Sequence, residues 1–223
     1  MKQSYDEREN RKAYSPDSDG IDHINIYSKG KTKLGRWLSN FTRQPIETKD
    51  GHFDSIEGYW YWLLTDFGNL FKEESAREEL RHLSGWKAKA KGREILEKVG
   101  RTKEFPFDYE APEFRRKIID AFILKLKENV YMASALAYSD KPLTHYYAYG
   151  DKVITPSGCG WIIDTWQLIA DYLRERLETE DVNINQVKER LYGEGYLRKY
   201  SERVKEGGSI IQRLGLRSVR HGR

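Results

Sequence analysis

The chain has 223 residues, 38% of them hydrophobic and 33% charged. That supports one domain with a real core plus peripheral segments, and no apolar run reaches the roughly 20 residues that a bilayer crossing needs. The single cysteine, Cys159, excludes an internal disulfide.

Met1 to Ser18 is polar and charged, unlike a secretory leader, so the expected location is the cytoplasm, with no membrane contact. The net charge of +4 is unevenly spread: residues 182–223 hold ten Lys/Arg against four Asp/Glu, leaving +6 there and −2 on the remainder. A basic tail suits a phosphate backbone. Arg198, Lys199, Arg203, Arg213 and Arg217 are its candidate nucleic-acid contacts. A solvated extension would have the same composition.

Residues 1–20 read as disordered, closing on the breaker Ser15-Pro16-Asp17-Ser18-Asp19-Gly20. Ile24 and Ile26 alternate with His23, Asn25 and Tyr27, a short strand. Gly30 to Gly35 reads as a basic turn, and Gln44 to Phe53 as a hairpin about Lys49-Asp50-Gly51. Asp54 can cap a helix running to about Phe67. Glu73 to Leu83 is charged and helical, interrupted by Gly85, and Trp86 to Val99 continues as another helix.

Pro112 suits the first turn of the next helix, where Phe114, Ile118, Ala121, Phe122 and Lys125 share one side. Val130 to Tyr138 is a short apolar helix, Tyr146 to Asp151 is extended, and Thr155 to Gly160 is a glycine-containing loop. In the last core helix Ile162, Trp166, Ile169, Leu173 and Leu177 form one apolar stripe. The expectation is a mainly α, α+β chain. Residues 1–20 precede a single multi-helical domain at 21–179, with a small β element at its front, and 180–223 form a basic extension.

Glu57 falls near a helix N-terminus, where the dipole favours an ionised carboxylate. Two readings stay open. Asp54-x-x-Glu57 matches a capping box, with Glu57 bonding back to the cap's amide. Alternatively, the carboxylate faces a substrate. Ser39-Asn40 interrupts Trp37-Leu38 and Phe41, and Asn offers both donor and acceptor, which suits ribose hydroxyls; a plain turn is the other reading. Lys89 and Arg93, four apart, share a helix face and could reach a diphosphate, or simply a solvated surface. Small residues at Ser157-Gly158-Cys159-Gly160 precede a helix, but the Gly-Lys-Ser/Thr ending of a P-loop is missing. The five histidines have no metal-ligand spacing, and no metal or cofactor is expected.

Read in order, these pieces resemble the NADAR family, also called YbiA-like, over roughly residues 23–178. Asn25-Ile26-Tyr27-Ser28 resembles the family's opening strand, and Leu38-Ser39-Asn40-Phe41 with Pro45-Ile46 its Ser-Asn-Phe segment. Ser55-Ile56-Glu57-Gly58-Tyr59 is similar to the Glu-His-Tyr motif, Ala88-Lys89-Ala90-Lys91-Gly92-Arg93 to the Ala-x-x-x-Gly-Arg segment, and Tyr149-Gly150-Asp151 to the Trp-Gly-Asp turn. The chain departs at Gly58, where the family has His, and at Tyr149, where it has Trp. It departs again at Tyr61-Trp62-Leu63-Leu64 and at Asp164-Thr165-Trp166-Gln167.

The resemblance implies a YbiA-like fold and N-glycosidic cleavage of ADP-ribose-related substrates. It implies Glu57 as the catalytic group, stabilising an oxocarbenium-like sugar and activating water. Asp151 is the candidate acid for the leaving base. Ser39, Asn40, Phe41, Tyr59, Lys89, Arg93, Tyr149 and Gly150 are the expected substrate contacts. The implied partner is ADP-ribose-modified nucleic acid, DNA ahead of RNA, with no obligate protein partner. Long forms of this sort resemble phage-encoded members that reverse a toxin's DNA ADP-ribosylation in the host cytoplasm. The alternatives are a non-catalytic ADP-ribose or nucleic-acid binding module and a small-molecule N-glycosidase acting on riboflavin intermediates.

Overall fold

The computed structural model describes residues 14–65, 74–98, 111–150, 152–156, 158 and 160–177. Alternation at Ile24 and Ile26 does yield a strand, β1 (Ile24–Asn25), but its partner is far away in sequence. It pairs in parallel with β4 (Leu143–Thr144), Ile24 opposite Leu143 and Asn25 opposite Thr144. The Asn25 side chain extends the ladder. Its Nδ2 donates to the Tyr146 carbonyl at 3.1 Å and its Oδ1 accepts from the Tyr146 amide at 3.0 Å. Residues 24–28 and 143–147 therefore run side by side and build one wall of the site.

The segment 14–20, expected to be disordered, is ordered. Ser15 caps a single 3-10 turn at Pro16–Ser18. Asp19 is buried, and its carboxylate accepts from the amides of Asn25 at 3.0 Å and Lys31 at 2.7 Å. Two satisfied amides compensate the buried charge and tie the segment down. Residues 1–13 lie outside the described residues, as does the extension at 180–223.

The expected turn at Gly30 to Gly35 runs into a helix, α1 (Lys33–Leu38), because the Thr32 hydroxyl caps it by accepting from the Gly35 amide at 2.9 Å. Strands β2 (Ile46–Thr48) and β3 (Gly51–Phe53) form the expected antiparallel hairpin. Gly51, at φ +108°, supplies the backbone geometry its turn requires.

Helix α2 (Ile56–Leu64) is followed by α3 (Glu74–Glu78) and a 3-10 turn at Glu79–His82. Next come α4 (Gly85–Lys98), α5 (Pro112–Lys127) and α6 (Val130–Tyr138). A hairpin of β5 (Tyr147–Tyr149) and β6 (Lys152–Ile154) leads to α7 (Gly160–Leu177). The described part is mainly helical, with three two-stranded sheets. None of its helices is long and apolar enough to cross a membrane.

One hydrophobic cluster joins these elements. Phe114, Ile118, Ala121 and Phe122 of α5 are buried as their spacing predicts, and so is Lys125. In α7, Trp166, Ile169 and Leu173 are buried while Ile162 is only partly covered. The Phe122 and Trp166 rings stack at 4.6 Å between centroids, locking α5 onto α7.

Candidate functional site

The start of α2 decides between the two readings of Glu57. The cap is Ser55, not Asp54: the Ser55 Oγ accepts from the Gly58 amide at 3.0 Å and donates to the Leu83 carbonyl at 2.9 Å. A box with Asp54 as cap would need Glu57 to bond the Asp54 amide. That amide instead donates to the Arg81 carbonyl at 2.7 Å. The Asp54 carboxylate is engaged by Arg43 and His52. With Ser55 capping, Glu57 is the second helical residue and Gly58 occupies the position a box would give to Glu.

Glu57 instead lines a cleft of about 390 Å³, within the usual size of a small-molecule site. Ser39, Asn40, Phe41, Lys89 and Arg93 line it as well. Two bonds fix the Ser39–Phe41 loop. The Asn40 carbonyl accepts from the Glu57 amide at 3.0 Å, and the Ser39 carbonyl accepts from the Lys125 Nζ at 2.7 Å. Lys125 is fully buried, and burial pulls its pKa down to about 7.

Helix α4 approaches α2 closely because Gly92 faces Tyr61. A Cβ at Gly92 would lie 2.1 Å from the Tyr61 ring. This approach brings Lys89 and Arg93 to the carboxylate. Burial pushes the Glu57 pKa up to about 7, opposed by the positive charges of Lys89 and Arg93. A carboxyl poised near neutrality inside a cleft is suited to proton transfer.

Another wall comes from residues that the sequence reading did not name as substrate contacts. Ile26, Tyr27 and Ser28 follow β1, and His145 and Tyr147 follow β4; all five line the cleft. The His145 Nδ1 faces the Ile26 carbonyl at 2.6 Å, an acceptor, so Nδ1 carries the hydrogen. Its Nε2 lies 3.3 Å from the Tyr147 hydroxyl. Burial lowers the His145 pKa and Lys89 lowers it further, while the bond to Ile26 opposes both. The Tyr27 and Tyr147 rings meet edge to face at 5.2 Å. Trp60, also lining the cleft, stacks on Trp161 at 6.1 Å.

The chain matches no protein-family model, no curated protein and no solved structure.

Three expected contacts stand elsewhere. Tyr59 points away from the cleft: it is buried against Phe53 and Trp62, and its hydroxyl donates to the Asp50 Oδ2 at 2.6 Å. At a helical step of about 100° per residue, Tyr59 cannot share the face of Glu57. Tyr149 is 60% exposed and Gly150 sits in the β5–β6 turn, with nothing within 4 Å of the place a Cβ would take. Neither lines the cleft. Asp151, Arg198, Lys199, Arg203, Arg213 and Arg217 lie outside the described residues. Gly158 and Pro156 line the cleft from the loop before α7.

Local pattern missed His145 and Tyr147 because their wall depends on a parallel pairing across more than a hundred residues. Alternation through Leu143, His145 and Tyr147 was the available signal.

Proposed function

We propose that this chain is an N-glycosidase of the NADAR (YbiA-like) type that hydrolyses the bond between ADP-ribose and a base, with guanine in DNA as the favoured target. The observation that carries this reading is Glu57. It is a buried carboxyl with a pKa near 7, in one cleft with Asn40, Lys89 and Arg93.

Each part matches a need of the reaction. Lys89 and Arg93 supply the positive charge that a diphosphate requires. Asn40 and Ser39 offer hydrogen-bond groups for ribose hydroxyls beside the reacting carbon. Tyr27, Phe41, Trp60 and Tyr147 give aromatic surface for flat bases. Loss of the base leaves positive charge on the sugar, and the role given to Glu57 is to stabilise that charge and exchange a proton. The +6 segment at residues 182–223 provides salt-sensitive attraction to a nucleic-acid backbone.

The test uses a DNA oligonucleotide carrying ADP-ribosylated guanine. The parent protein releases ADP-ribose, and Glu57→Gln lowers turnover by about 10²–10⁴-fold with little change in binding. A Glu57→Gln protein that cleaves as fast as the parent overturns the reading. Binding of ADP-ribose with no turnover by the parent would favour the module reading, since charge and aromatic walls serve binding equally well.

A further inference from the structure

We infer that His145 is the general base that takes the proton from the attacking water, leaving Glu57, in its protonated form, to supply the proton that the departing base needs. This rests on the N-glycosidase reading and changes the roles within it.

The tautomer carries the argument. With Nδ1 hydrogen-bonded to the Ile26 carbonyl at 2.6 Å, the neutral ring keeps its lone pair on Nε2. His145 lines the same cleft as Glu57, on the wall built by β1 and β4. At Nε2 the ring meets the Tyr147 hydroxyl, but at 3.3 Å this is a long bond that an incoming water can displace. The Ile26 carbonyl also stabilises the imidazolium that forms when Nε2 gains its proton, as an orienting acceptor does behind other catalytic histidines.

The neighbouring charges point the same way. From α4, Lys89 disfavours a second positive charge on the ring. From α2, Glu57 is the group whose burial favours holding a proton. Tyr27 and Tyr147 are the titratable side chains on the His145 wall. A pair whose environments push the carboxyl up and the imidazole down defines an acid and a base.

The step balances. The bond between C1′ and the base nitrogen breaks, and its electron pair stays with the base, which receives the proton of Glu57. The water oxygen bonds to C1′ and its proton passes to Nε2. One water is consumed, and solvent returns the proton from His145 to Glu57.

The experiment uses the full chain and the same ADP-ribosylated oligonucleotide. His145→Asn keeps a short amide donor toward Ile26 and removes the base. Its turnover falls by about 10²-fold. Azide, a nucleophile that needs no deprotonation, then restores turnover and leaves the product as glycosyl azide, while the parent gains nothing from azide. Parent-like turnover in His145→Asn, or a loss that azide does not rescue, overturns the assignment. If His145→Asn does not fold, Tyr147→Phe decides. Losing the hydroxyl donor makes Nε2 more basic, so the acidic limb of kcat/KM moves to higher pH; an unmoved limb overturns the assignment. A parent that releases no ADP-ribose sinks the N-glycosidase reading itself, and this inference with it. An active parent with either failure above sinks only the role of His145.

Discussion

Gly92 lies against Tyr61 so closely that a Cβ at position 92 would be 2.1 Å from the tyrosine ring. The obstruction is the near end of the ring, with the Tyr61 Cβ itself 2.5 Å away, so the side chain cannot swing clear. Gly92→Ala therefore forces α2 and α4 apart. The expected cost is about 1–3 kcal/mol of stability. Because Lys89 and Arg93 ride on α4, binding of ADP-ribose weakens as well. Chemical unfolding together with calorimetric titration of ADP-ribose checks both. Unchanged values on both counts would show that the two helices do not need this approach.

Gly58 is constrained differently. A Cβ there would stand 2.4 Å from the Leu80 carbonyl oxygen and 2.9 Å from that of Leu83. These are backbone atoms, which cannot rotate away. The histidine that the family resemblance would place here has no room. Gly58→His is expected to destabilise the fold by more than about 3 kcal/mol. A thermal melt of this variant against the parent provides the measurement, and a parent-like melting temperature would contradict the packing argument.

The part of the site legible in sequence was the part carried by local spacing. Lys89 and Arg93 share a face because they are four apart on a helix, and they reach the cleft together. Ser39-Asn40-Phe41 stood out as a polar break between apolar residues, and the loop does border Glu57. Local spacing failed at Tyr59, where an aromatic next to the functional residue falls on another helix face and joins Phe53 and Trp62. It also failed at the cap, because Asp54 and Ser55 are both good capping residues, and the choice of the serine follows from tertiary bonds: Leu83 holds the Ser55 hydroxyl while Arg43 and His52 hold the Asp54 carboxylate. Alternation can mark each of the segments 24–25 and 143–144 as extended, but not that the two pair, so the wall holding His145 was not assembled from sequence.

Lys125 shows the same limit from another side. Its place on the apolar face of α5 was evident, but not the task of its amine. The Nζ holds the Ser39 carbonyl at 2.7 Å, and the Gln44 amide grips the Lys125 carbonyl at 2.6 Å. Lys125→Met keeps the volume and the methylenes while removing the donor. Stability should change by no more than about 1 kcal/mol, since the lost bond is offset by no longer burying an amine. The Ser39–Phe41 loop loses one of its two fixing bonds and keeps the one from the Glu57 amide, so KM for the ADP-ribosylated substrate rises while kcat falls less. Steady-state kinetics beside a melting curve separates this from global damage, which would lower stability first.

The buried Glu57 also makes a statement about stability. Its ordinary pKa of 4.5 is raised by burial to about 7 in the folded chain, despite Lys89 and Arg93. The folded state therefore binds a proton more tightly than the unfolded state. Below pH 4.5 both states hold that proton and Glu57 contributes no pH-dependent penalty. As the pH rises from 4.5 to about 7, the unfolded chain releases the proton first and stability falls. Above the folded pKa the loss is complete, about 3 kcal/mol at one unit per 1.36 kcal/mol. Glu57→Gln keeps the shape without the charge, so it should be more stable than the parent at pH 8, and the two should converge toward pH 4.5. Denaturant unfolding of both proteins across that range measures the difference. A constant gap at every pH would mean that Glu57 titrates as it does in water, and the argument for a carboxyl tuned by its cleft would fall with it.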